Sequence, residues 1–296
     1  MTSIIYYCIF HLITITNSII LISFRIITLL SFLYFGAYFK TNGQEASFWG
    51  ARNEALANAS VALNDSWALF YNPSGLVFNQ SKVLAAYQNK YTSLGIHDGA
   101  FGFAFPINKT ALGIGVSYFG DNLLNKSKII GAIAHKIGKT TLGIKTTIEQ
   151  LKVEGIGSKG ILYIDIGGQI IVSKEVSLGM LISNINQAKF DTNVLSQPTT
   201  KIQVGINYHP HSKLLLLAQI EKDIINPATL KMGFEYLISK NVTVRTGVIP
   251  SPTVAYAGLG LIWQKINLDF VGSYAQSIGW SGGLSIGVPI TSSNEE

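Results

Sequence analysis

Five histidines, His11, His97, His135, His209 and His211, are the first side chains that could carry catalysis or hold a metal. His209-Pro210-His211 supplies two imidazoles at a short turn, with no carboxylate or third ligand close by. An exposed turn accounts for it better than a metal pair. A nucleophilic site would need a serine beside His135 and a third group to orient the imidazole. Ser117 is the nearest serine, but it shares parity with Gly113 and Gly115, whereas His135 shares parity with Ile133 and Ile137. The two face opposite ways, so no hydrolase pair forms. Gly155-Ile156-Gly157-Ser158-Lys159-Gly160 resembles a phosphate-binding loop only loosely, because it joins two strands rather than a strand and a helix. No catalytic, cofactor-binding or metal residue is assigned, and an enzyme is not expected.

The charges on the runs between turns are more informative. Lys145, Glu149, Asp165, Lys201, Lys231, Glu235, Arg245 and Asp269 each lie opposite an apolar face. A lysine or arginine near a bilayer midplane costs ~2–4 kcal/mol when it faces lipid. These groups should therefore point inward and pair across adjacent strands. Lys231, Glu235 and Arg245, on two consecutive runs, are expected to form a lumen network. Such a network would either rigidify the interior or line a polar route through it.

What must position these charges is a repeated unit. From Lys82 to Ile290, runs of about ten residues carry apolar side chains at every second position and end in a turn signal, about fourteen times over. Ile202, Val204, Ile206 and Tyr208 alternate with Lys201, Gln203, Gly205 and Asn207. Short polar turns (Pro106–Lys109, Gly138-Lys139, Ser173–Glu175, Ser239–Asn241, Gln264-Lys265) alternate with longer loops (Asn89–Gly99, Asp121–Ser127, Glu154–Gly160, Gln187–Thr199). The fold class expected is all-β: a closed antiparallel transmembrane β-barrel of about 14 strands with a small N-terminal hatch. Leu112, Ile114, Val116 and Tyr118 should face lipid, and Ala111, Gly113, Gly115 and Ser117 the interior.

Composition agrees. Mean hydropathy is +0.33 and only 13% of residues are charged. Yet beyond residue 40 no run of eighteen apolar residues would make a spanning helix. Spread as alternation, the apolar content lets a barrel satisfy its backbone in the bilayer. A soluble sandwich would need polar outer faces, and here the alternate face is often Gly, Ala, Ser or Thr. The net charge is +6, with lysines in or beside turns (Lys109, Lys136, Lys139, Lys174, Lys240, Lys265). Nucleic-acid binding would need a concentrated patch, so none is expected. Rim lysines would meet anionic lipid headgroups or simply solvate the turns.

Residues 1–43 read as a signal peptide with an additional apolar segment. Arg25, the apolar run Ile26–Phe39 and Thr41-Asn42-Gly43 have the order of a leader cleaved before Gln44. The competing reading is an uncut anchoring helix. The single cysteine, Cys8, lies upstream of that cut, so the remaining chain has no thiol chemistry. Residues 44–79 form the expected hatch, 80–290 the barrel and 291–296 a polar tail. In the hatch, alanine-rich sequence favours helix. Asp65 is expected to cap a short helix carrying Trp67, Leu69 and Phe70, which Pro73 and Gly75 would close. Trp67, Phe70 and Tyr71 would anchor the segment against the inner wall, and Asn72, Pro73, Ser74 and Gly75 would form its turn.

The string Gly50-Ala51-Arg52 … Asn58-Ala59-Ser60-Val61-Ala62 … Asp65-Ser66-Trp67-Ala68-Leu69-Phe70-Tyr71-Asn72-Pro73-Ser74-Gly75-Leu76 resembles the amino-terminal signature of an outer-membrane barrel superfamily. That superfamily unites FadL-type transporters of hydrophobic compounds with PorV/PorQ-type accessory proteins of type IX secretion in Bacteroidetes. Its fourteen-stranded barrels carry an amino-terminal hatch with an Asn-Pro-Ala motif, which Asn72-Pro73-Ser74 matches except at the last residue. The resemblance implies a non-enzymatic barrel of the outer membrane of Gram-negative cells, in contact with outer-membrane lipid. It further implies either an accessory role beside secretion-system components or passive transport of a small hydrophobic ligand. Departures are the chain's shortness against FadL-type transporters, a loop Gln187–Thr199 with little beyond Phe190, Val194 and Leu195 to hold an acyl chain, and a last strand followed by Thr291–Glu296 rather than ending on an aromatic residue. The short loops favour the accessory role.

Overall fold

The computed structural model describes residues 48–78, 80–92, 94–190, 197–276 and 278–290. The expected leader, the first residues of the expected hatch and the polar tail lie outside them. Fourteen strands follow in chain order: β1 (Lys82–Lys90), β2 (Ile96–Ile107), β3 (Thr110–Gly120), β4 (Leu124–Ile137), β5 (Thr140–Val153), β6 (Gly157–Ile171) and β7 (Val176–Ser183), then β8 (Lys201–His211), β9 (Leu214–Asp223), β10 (Thr229–Ser239), β11 (Val242–Pro250), β12 (Thr253–Trp263), β13 (Ile266–Ala275) and β14 (Gly279–Pro289). Each pairs with its sequence neighbours, and β1 pairs antiparallel with β14 from Lys82↔Pro289 to Asn89↔Gly282, so the sheet closes without an edge. No helix among the described residues is long and apolar enough to cross a membrane.

Period-two alternation decides which face each side chain takes. On β3, Leu112, Ile114, Val116 and Tyr118 are exposed, while Ala111 and Gly115 are buried and Gly113 and Ser117 half-buried. Isoleucines, leucines and valines make up most of this outer face. Exposed Tyr118, Tyr274 and Trp280 lie towards one rim and Tyr208, Tyr236 and Trp263 towards the other, as aromatic side chains do at the two interfaces of a spanning barrel.

The two rims differ less in loop length than the sequence suggests. One rim carries the short turns, including Asn108-Lys109, Gly138-Lys139, Ser212-Lys213 and Gln264-Lys265. On the other rim, three of the expected long loops contract to residues 91–95, 121–123 and 154–156. Pairing simply continues through polar residues: Lys126 sits opposite Leu151 on β5, and Leu151 opposite Lys159 on β6. Ladder hydrogen bonds do not require apolar side chains. Asp121 tightens its turn, with Oδ1 accepting from the backbone N–H of Leu123 and Leu124, each at 2.9 Å. The longest separation between consecutive strands is from Ser183 to Lys201.

Residues 48–78 occupy the barrel interior. They comprise a single helical turn, α1 (Ala51–Ala55), and two 3-10 segments at Ser66–Leu69 and Pro73–Phe78. Asp65 is not a side-chain cap, and Pro73 opens the second 3-10 segment instead of closing a helix. Asp65 is drawn away by ion pairing, described below. Phe48, Leu56, Leu69, Phe70 and Leu76 are buried side chains that join Leu84, Ile130 and Leu217 of the wall in one core.

Candidate functional site: the plugged lumen

The inserted segment fits because the wall facing it is made of small residues. An ideal Cβ on Gly247 would lie 2.5 Å from the backbone nitrogen of Ala57, and one on Gly258 2.5 Å from Ala55 Cβ. A Cβ on Gly143 would lie 2.6 Å from the Ser74 nitrogen. Such approaches exclude any other residue without a shift of the insert. The glycines lie on β5, β11 and β12, so the cradle closes around the insert from several sides.

Asn72 is fully buried at the centre of the turn. Its Oδ1 accepts from the Ser74 backbone N–H at 3.2 Å and from Ser74 Oγ at 2.8 Å, the Asx geometry in which a side chain bonds the backbone two residues on. Its Nδ2 donates to the Val61 carbonyl at 2.5 Å, tying the turn to the preceding loop. The Ser74 hydroxyl thus adds a hydrogen bond to the turn. Gly75 is confined by the Leu63 carbonyl. Phe70 packs over Gly102 and Gly115 of the wall and stacks on Trp49 at 5.6 Å. Trp67 lies instead across Gly50 and against Phe70, within the insert itself. Tyr71 donates its hydroxyl to Asp65, also within the insert. Of the three expected anchors, Phe70 meets the wall, while Trp67 packs on Gly50 and Phe70, and Tyr71 bonds Asp65, all within the insert.

The expected network of Lys231, Glu235 and Arg245 divides into two. Arg245 Nε binds Glu235 at 2.6 Å and its Nη1 binds Asp269 at 2.6 Å. Lys231 belongs elsewhere, bound to Glu221 on β9 at 2.7 Å, with Lys201 also on Glu221 at 3.3 Å. Lys231 and Glu235 are four residues apart on β10, about 13 Å along a strand, which is too far to pair.

The larger surprise is Arg52 of α1. Its Nε and Nη2 make a two-pronged bond to Glu235, at 2.8 and 2.9 Å, and its Nη1 reaches Asp65 at 2.9 Å. The chain Asp65–Arg52–Glu235–Arg245–Asp269 therefore runs from the insert into the wall. A guanidinium fork matches a carboxylate in this way and an ammonium would not. Lys145 joins the insert too, donating to the Phe70 carbonyl at 2.7 Å while paired with Asp165 at 3.0 Å.

Uncharged inward side chains hold the insert's backbone. Gln169 Nε2 donates to the carbonyls of Val61 and Leu63, Asn207 Nδ2 donates to the Ala62 carbonyl, and Gln219 Oε1 accepts from the Val61 N–H. Gln88 Nε2 donates to both oxygens of Glu54, and Ser273 Oγ donates to one. Burial pushes the Glu54 carboxyl above its ordinary range, against the opposing pull of Gln88, Lys90 and Ser273. Sequence reasoning passed over these amides because it followed charge. Parity alone would have found them, since all four occupy the inward face. Gln169, Asn207 and Gln219 satisfy irregular backbone that would otherwise be buried without partners, and Gln88 satisfies the buried Glu54 carboxylate.

The remaining candidates stay apart. His135 faces outward beside Thr110, at 2.8 Å from its Oγ1. His209 and His211 lie at the short-turn rim, and no group of three or more possible metal ligands occurs among the described residues. The wall is least continuous between β6 and β7, which share the ladder only from Ile166↔Ile182 to Ile171↔Ser177, whereas β5 and β6 pair from Thr140↔Ile170 to Val153↔Gly157. Above that point Asn184 and Asn186 bridge to β6 through Asp165, Ile164 and Leu162.

No protein-family model matches the chain, and no curated protein matches it. Solved structures do. The monoaromatic hydrocarbon channel CymD superposes with a TM-score of 0.63 at 10% identity, over 82% of this chain and 98% of that one. The toluene transporter TbuX of Ralstonia pickettii gives 0.61 at 13% identity, over 83% and 99%. A deletion mutant of the monoaromatic hydrocarbon channel TodX gives 0.65 at 10% identity, over 82% and 99%. This chain therefore shares the barrel fold of these channels.

Proposed function

We propose that this protein is a non-enzymatic outer-membrane barrel that admits small apolar molecules, of the size of a monoaromatic hydrocarbon, past an N-terminal hatch. The observation that carries the reading is the insert around Asn72-Pro73-Ser74, set in a fourteen-stranded barrel of the same architecture as hydrocarbon channels. An apolar solute needs no charged subsite, and the ionic groups of the lumen are engaged with one another or with the insert. The test is uptake of radiolabelled toluene by proteoliposomes. Faster uptake than in protein-free liposomes, with sucrose still retained, supports the reading. Equal uptake with and without protein overturns it.

A second reading, an accessory barrel for a secretion or surface-attachment complex, draws on the rim opposite the short turns. Five of its loops present exposed aliphatic tips: Leu94, Leu123, Ile156, Ile224 with Ile225, and Ile278. Ile225 is 76% exposed. Apolar groups held clear of the barrel suit protein contact better than solvent. Co-purification of a stoichiometric partner that is lost on Ile156→Asn with Ile225→Asn would favour this reading over transport.

A further inference from the structure

The turns of the two rims differ. Aliphatic residues tip one, while every turn of the other carries a lysine: Lys109, Lys139, Lys174, Lys213, Lys240 and Lys265. All six are exposed, and none of their ammonium groups has a side-chain or backbone partner among the described residues. The only carboxylate in these turns is Glu175, whose Oε2 accepts from Ser173 Oγ at 2.8 Å. Five of the six lysines follow an exposed apolar residue two positions earlier: Ile107, Ile137, Val172, Ile238 and Trp263. His211 takes that place before Lys213. Between the β6–β7 and β8–β9 turns lies a shallow cavity of about 440 Å³, lined by Lys174, Glu175, His209, Pro210, His211 and Ser212.

We propose that this rim is a binding ring for anionic phospholipid headgroups of the periplasmic leaflet, with that cavity as one of its seats. At each of five strand ends the outward apolar side chain meets an acyl chain, and the lysine two residues on meets the phosphate. This is the vertical order of a leaflet. A lysine near an anionic surface gains from the surface potential, and the gain is screened by salt. In the cavity Lys174, Ser212 and the two imidazoles present donors, while Glu175 disfavours a second negative charge. The inference rests on the spanning barrel and not on the transport reading.

The test uses the full-length protein in nanodiscs of equal phosphatidylglycerol and phosphatidylcholine, with retained lipids counted by native mass spectrometry. The parent should retain phosphatidylglycerol over phosphatidylcholine by about threefold or more, and raising ionic strength from about 50 mM to about 500 mM should bring the ratio near one. Two charge-matched triple variants separate the rims. Lys139→Gln with Lys174→Gln and Lys213→Gln should lose the preference. Lys152→Gln with Lys159→Gln and Lys222→Gln, at the opposite rim, should keep it. Heat-modifiable gel mobility checks that both fold, and the salt arm needs no variant. A parent ratio of one, a ratio indifferent to salt, or equal loss in both triples overturns the proposal.

Discussion

Gly167 on β6 faces the side chain of Asn72 so closely that a Cβ at position 167 would overlap Asn72 Oδ1. The wall thus reads the conformation of the insert's central turn directly. Asn72 cannot retreat, because its Nδ2 holds the Val61 carbonyl and its Oδ1 holds Ser74.

Gly167→Ala is therefore expected to displace the turn while leaving the ladder intact, at a cost of about 1–3 kcal/mol for overpacking. Gly168→Ala places its Cβ in ordinary contact, 3.5 Å from Leu142 Cδ2, and should be neutral. Chemical denaturation in detergent micelles, followed by tryptophan fluorescence, compares the two. Equal midpoints would sink the claim.

The same turn can be loosened from within. Asn72→Ala with Pro73→Ala removes the Asx bond and the fixed φ of proline. The double variant should still assemble as a heat-modifiable barrel, but its small-solute leak across liposomes should change several-fold. His135→Ala and His209→Ala, outside the lumen core, should leave the leak at the parent value. If a histidine variant alters permeation and the turn variant does not, the turn is not the functional element.

How much of this was legible in the sequence follows from what alternation encodes. Period two fixes facing, so the outward Leu112 and Ile114 and the inward Lys145, Asp165 and Arg245 could all be placed from parity. The strand ends could not be, because Lys126 and Lys159 extend the ladder with polar residues that read as loop. Pairing partners were legible only where charges sit opposite on neighbouring strands, as Glu235 and Arg245 do. Arg52 and Glu235 lie 183 positions apart, and no local pattern links an alanine-rich turn to a mid-barrel carboxylate. Trp67 was legible as buried but not as the partner of Gly50, since a chain that folds back on itself inside a lumen has no period.

Facing itself is open to a direct scan. Single spin labels from position 111 to 118 should show high collision rates with oxygen at 112, 114, 116 and 118, and low rates at 111, 113, 115 and 117. An approximately 3.6-residue repeat in the same scan would contradict the strand.

The ion chain at Arg52 makes the last prediction. Arg52→Ala leaves Glu235 with Arg245, and Asp65 with the Tyr71 hydroxyl, so neither carboxylate is stranded. Glu235→Gln leaves Arg52 with Asp65 and Arg245 with Asp269. Each single change should therefore cost only about 1–3 kcal/mol, within the range for a hydrogen bond to a charged group, rather than the larger penalty of an orphaned buried charge. The double variant removes the fork once, so its cost should fall short of the sum of the singles by at least about 1 kcal/mol. Because the fork joins insert to wall, Arg52→Ala should also raise protease cleavage within residues 48–78 while the strands stay protected. Strict additivity of the two substitutions, with no new cleavage, would show that Arg52 does not latch the insert to β10.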